Sequence, residues 1–150
     1  MSRFGGIEAF IAGLLTPLVA AGTLGEALVV AAKGLLTEPS SYPSVFVCSD
    51  PPILTSEDSG GSATTQVYSQ ATLVIIRLKS DGITLGEAKQ TAWTLYDIVA
   101  DTIRNEHPIG APVGTTFDVL LPGTPYEIEN VNVGEFGIAI PINTNIYWNK

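Results

Sequence analysis

The chain has 150 residues, a length that suits one domain with a real core. Apolar residues make up 45% of it, which excludes a disordered chain, while charged residues make up only 15%. Fifteen acids against seven scattered bases leave a formal net charge of −8, which excludes ordinary nucleic-acid binding, and the single cysteine, Cys48, excludes an internal disulfide.

Soluble domains usually carry about 25% charged residues. A chain this poor in charge is expected to cover part of its surface with other subunits. The lone cysteine suits a reducing compartment. With one histidine, His107, no metal site is expected, and no cofactor motif is present. The acidity fits a role in solubility, or a surface past which DNA slides without sticking.

Residues 5–22 read as a helix, with Ile7, Phe10, Ile11, Leu14 and Leu15 on one stripe. Pro17 should end or kink it, or start a new turn, and Gly22 is a plausible stop. The apolar run of residues 4–36 is broken by Glu8, Pro17, Glu26 and Lys33, short of the about 20 apolar residues a membrane span needs. Neither insertion nor a cleaved leader is expected.

Residues 23–36 are ambiguous. Thr23-Leu24-Gly25-Glu26 has the capping-box pattern of a helix start, yet Ala27 to Ala31 is equally a short strand. Helix is the weakly favoured assignment. The pentapeptide Thr-Leu-Gly-Glu-Ala occurs here and again at Thr84–Ala88, and both copies read as helix starts.

Residues 37–43 form a turn-rich break, and Ser44 to Cys48 is a buried strand stopped by Asp50-Pro51-Pro52. Residues 53–65 read as a loop with a flexible tip around Glu57-Asp58-Ser59-Gly60-Gly61-Ser62. Residues 66–79 are the clearest strand. Both of its faces are apolar in the middle, so it is central, or another subunit covers its second face.

Residues 85–105 are the clearest helix, with Leu85, Ala88, Ala92, Leu95, Val99 and Ile103 along one stripe. Asp97, Asp101 and Arg104 read as its solvated side. A second loop, 107–114, is rich in proline and glycine. Three strands are then expected, Thr115–Leu121, Tyr126–Val133 and Gly137–Trp148. Pro141 should place the last one at a sheet edge or at a bulge.

The expected fold is α+β. A mostly antiparallel sheet of four to five strands packs on two helices, or three if residues 23–36 are helical. The whole chain is read as one domain, with flexible loops near 53–65 and 107–114.

No phosphate loop and no nucleophile elbow is present. A Cys48–His107 hydrolase pair is conceivable, but Cys48 sits in a buried-looking strand, and His107 reads as a helix-terminal residue. Asp50, Glu57 and Asp58 lack the spacing of a calcium loop. The candidate interface residues are therefore Glu57 and Asp58 in the first loop, Ile109 and Val113 in the second, and Tyr147 and Trp148 at the C-terminal end.

The order of elements resembles the tail terminator (tail completion) proteins of long-tailed phages. The resemblance covers most of residues 42–148 and rests on order and pattern. It is carried by the strand Tyr42-Pro43-Ser44-Val45-Phe46-Val47, the long strand Tyr68 to Leu78, the tryptophan-bearing helix Leu85 to Val99, and the closing strand Gly137 to Thr144. The long segment 23–36 and Pro141 depart from the pattern.

The resemblance implies a non-enzymatic virion subunit, made in the host cytoplasm and located at the head-proximal end of the tail. It implies a homo-oligomer, a hexameric ring that caps the tail tube at its final length. The implied partners are the tail tube protein and the head-side connector. Genome DNA would pass through without specific binding, and no membrane is involved. The alternatives are a head-to-tail connector or stopper (neck) subunit, a small Cys/His hydrolase, and a peripheral membrane protein using residues 4–36.

Overall fold

A computed structural model describes residues 6–30, 39–58, 65–79, 85–108, 115–130 and 134–149. Its elements run α1 (Gly6–Ala20), β1 (Glu26–Val29), β2 (Ser44–Ser49), β3 (Ile53–Asp58), β4 (Thr65–Lys79), α2 (Leu85–Ile103), β5 (Thr115–Phe117), β6 (Tyr126–Asn130) and β7 (Glu135–Asn149). The fold is α+β as expected, with a mostly antiparallel sheet.

The spine of the sheet is the antiparallel pair β4–β7, in unbroken register from Thr65↔Asn149 to Lys79↔Glu135. Each spine strand carries two short strands end to end on its outer edge. On β4, β2 pairs with Thr72–Arg77 and β3 with Thr65–Ser69. On β7, β6 pairs with Glu135–Ala139 and β5 with Ile146–Trp148. β1 adds to β2 as the parallel pair.

Two strands arise where the sequence suggests otherwise. Residues 26–29, weakly assigned to helix, form β1, so the described chain has two helices. Glu26 does not close a capping box; its carboxylate accepts the Ser40 N–H at 2.8 Å. Gly25 donates its N–H to Pro43 and lies so close to Ser41 that a Cβ there would sit 2.5 Å from its Oγ. These contacts fix an extended chain alongside β2.

Residues 53–58, read as loop, form β3. Asp50-Pro51-Pro52 interrupts one long strand rather than ending it, because Asp50 still donates its N–H to the Ala71 carbonyl. Among the described residues there are seven strands against the four to five expected, β1 and β3 being the unexpected ones.

α1 keeps helical form through Pro17 to Ala20. It closes with Thr23 and Gly22 donating to the Leu18 and Val19 carbonyls, Gly22 being at φ 82°. That double closure is the glycine stop the sequence suggests. Glu8 has a structural task, accepting the Ser49 N–H at 2.8 Å. No helix among the described residues is long and apolar enough to cross a membrane.

Both helices lie on one side of the sheet. Ile7, Ile11 and Leu15 of α1 and Ala88, Ala92, Leu95, Val99 and Ile103 of α2 meet the even-numbered side chains of the spine, among them Val74, Ile76, Ile138, Ile140 and Ile142.

Pro141 does not mark an edge, and the register shows no bulge there. It faces the gap between β6 and β5. Its carbonyl accepts the Gly123 N–H at 2.8 Å, so its nitrogen also points away from β4 and no spine hydrogen bond is lost. The strand expected over 115–121 is shorter, because β5 ends at Phe117 and Leu120 turns back to bond Glu106.

Candidate interaction surface

The structure brings four of the six candidate residues to one end of the sheet. Glu57 pairs with Gln66, which pairs across with Trp148. Ser56 and Tyr147 likewise flank Val67, and Asp58 pairs with Thr65. Thr115 lies against Trp148. Ile109 and Val113 lie outside the described residues.

This end is polar and cross-linked. Tyr68 Oη donates to Gln66 Oε1, and Gln66 Nε2 donates to Glu57 Oε1 at 3.1 Å. Tyr147 Oη donates to Asp118 Oδ2 at 3.2 Å, and Thr65 Oγ1 donates to Asn149 Oδ1. Side-chain bonds of this kind hold the strand ends together. Among the described residues, no group of three His, Cys, Asp or Glu is placed to hold a metal.

Cys48 is buried at 2% exposure in a small cluster with Val30 and Phe46, against Leu73. His107 is exposed, beyond the end of α2. A thiol enclosed by apolar groups is an inert core residue.

The sheet's outer face holds two features absent from the candidate set. At its β4–β7 end, Arg77 grips Glu135 through Nε at 3.1 Å and Nη2 at 2.7 Å, with both side chains 10% exposed. Tyr42 Oη also donates to Glu135 Oε1, and the Arg77 guanidinium lies 4.9 Å from the Phe46 ring centre. The charge pair is thereby neutralised within the face.

Beside it runs an apolar strip. Ala71, Leu73, Tyr126 and Pro141, with Asp50 and Asn143 at the rim, line a hollow of about 190 Å³. Small-molecule sites usually measure about 300–1,000 Å³. The hollow is a shallow feature of a surface. Ile53, at 68% exposure, continues the strip by register from Ser69, and Tyr126 is 50% exposed. The apolar alternation on both faces of residues 66–79 was the sequence signal for this strip; Tyr126 and Ile53 gave none.

The fold and surface together define an α+β domain whose helices cover one sheet face and leave the other partly open. The chain is similar in fold to a chain of the virion of a native gene transfer agent (GTA) particle, with 15% sequence identity and a TM-score of 0.58 over 95% of this chain and 96% of that chain. At that identity the likeness is one of fold. No family model and no curated protein matches the sequence.

Proposed function

We propose that the chain is a non-enzymatic structural subunit of a phage-like virion, and that it acts as a tail terminator. Copies form a ring that caps the tail tube at its final length and offers a docking surface to the head-side connector. The observation that carries this reading is the likeness in fold, nearly end to end on both chains, to a chain found in a virion particle. The element order of residues 42–148 supports the terminator assignment within that class. The low charge content and the open sheet face suit a subunit that works by contact. The surplus of acids suits a ring through which DNA passes without adhering.

The test is immunogold negative-stain microscopy of tailed particles from cells that make the chain. A terminator gives label at the head-proximal end of the tube alone. Label along the whole tube, or particles that lack the protein, refutes the proposal. Co-purification with the portal side and not with the tube protein moves the assignment to a connector or stopper subunit.

A further inference from the structure

We infer that the outer face of the sheet, centred on Ala71, Leu73, Pro141 and Tyr126, is where a second copy of this chain docks. The inference concerns the chain's contact with itself and stands whether or not the ring sits on a tail tube.

The argument is one of charge placement. The exposed carboxylates among the described side chains gather on the helix side. Glu87, Asp97 and Asp101 lie on the outward side of α2. Glu57, Glu127 and Glu129 point to the helix side by register with Gln66, Ile138 and Phe136. On the opposite face the carboxylates are half-buried or bonded: Glu135 is paired with Arg77, Glu26 accepts the Ser40 N–H, Asp118 accepts the Tyr147 hydroxyl, and Asp50 stands at the rim of the apolar hollow.

Copies of a chain with net charge −8 repel one another wherever their acids meet. The strip on the outer sheet face is where they approach with the fewest exposed acids, and its apolar groups supply a favourable term. A basic partner, in contrast, is drawn to the helix side. The two faces therefore sort two kinds of neighbour, like chains on the sheet side and cationic proteins on the helix side. Charged residues are depleted at the centres of protein interfaces and aromatic residues are enriched. Tyr126, within a strip that carries no charged side chain, follows that pattern.

The test uses the purified 150-residue chain. Ala71 is exposed and Cys48 is buried, so the variant Ala71→Cys carries one reactive thiol at the centre of the face. Native mass spectrometry gives the oligomeric state, and maleimide labelling gives the accessibility of that thiol. In the assembled form, labelling should slow by about tenfold or more relative to dilute monomer, because reagent enters only after dissociation. The variants Ala71→Glu and Tyr126→Glu should shift the mass to monomer. Thr94→Glu, which adds the same charge on the exposed side of α2, should leave the oligomer intact. Circular dichroism confirms folding in each variant.

Fast labelling in an intact oligomer overturns the inference, as does an oligomer that survives both sheet-face substitutions. A chain that stays monomeric at every concentration overturns it too. Protection that appears only when a different virion protein is added assigns the face to that protein and also overturns it. A ring formed through another surface leaves the terminator proposal standing, whereas a sheet-face oligomer absent from tail ends refutes the terminator proposal alone.

Discussion

Replacing Arg77 with methionine removes the cation of a nearly enclosed ion pair while keeping most of its stem. Glu135 would keep the Tyr42 hydroxyl but lose the Nε and Nη2 donors, at 10% side-chain exposure. Stranding one charge of a buried pair typically costs about 3–5 kcal/mol. That is a large share of the roughly 5–15 kcal/mol that holds a domain together. For a chain of this size it corresponds to a fall in Tm of about 6–20 °C. The double variant Arg77→Met, Glu135→Leu removes both charges. It should be more stable than either single variant, short of the wild type by about 1–2 kcal/mol for the lost Tyr42 and Phe46 contacts. Urea unfolding followed by circular dichroism, run as a double-mutant cycle, measures all three values. If Arg77→Met costs under about 1 kcal/mol, or if the two single effects simply add, then the pair is solvated in solution and the reasoning is wrong.

Two glycines should respond with opposite signs. A Cβ on Gly137 would lie 2.5 Å from the Ile76 carbonyl oxygen, so Gly137→Ala must open the spine and cost about 1–3 kcal/mol in urea unfolding. Gly13, inside α1, has nothing within 4 Å of such an atom, so Gly13→Ala should add about 0.5–1 kcal/mol. Pro141→Ala should change stability by less than about 1 kcal/mol in the same assay, because the new amide faces the gap and completes no spine bond. Cys48 should react with a thiol reagent only through opening of the fold; rapid modification of the native chain, compared with the chain in urea, refutes its burial.

The elements legible in the sequence are those whose own residues settle the outcome. α2 has its buried stripe from Ala88 to Ile103, and β4 has apolar residues on both faces because helices cover one and Leu73 packs beside Phe46, Cys48 and Val30 on the other. The pair Tyr147–Trp148 and the pair Glu57–Asp58 could be picked from composition. Their meeting at one end of the sheet could not, since it follows from the fifteen-residue register of β4 against β7.

The pentapeptide Thr-Leu-Gly-Glu-Ala shows why the remainder was hidden. At residues 84–88 its Leu-Gly-Glu-Ala begins α2, and at residues 23–27 its Glu-Ala begins β1. Local propensity is the same in both places, so distant contacts decide. In the second copy Ala88 is a buried residue of a stripe that continues for four turns. In the first copy Gly25 is pressed against Ser41, and Glu26 is claimed by the Ser40 amide. β3 follows the same logic: Glu57 and Asp58 have weak strand preference, yet β4 holds them by backbone pairing, and Thr55 bonds the Val67 carbonyl at the bulge. Strands imposed by a neighbour lie at the margins of the sheet, where Ile53 and Leu28 are left exposed. Segments poorly legible in the sequence thus bring apolar groups to the surface at the sheet margins, and the same non-local pairing that hides them from sequence patterns contributes to the outer face assigned here to a second copy.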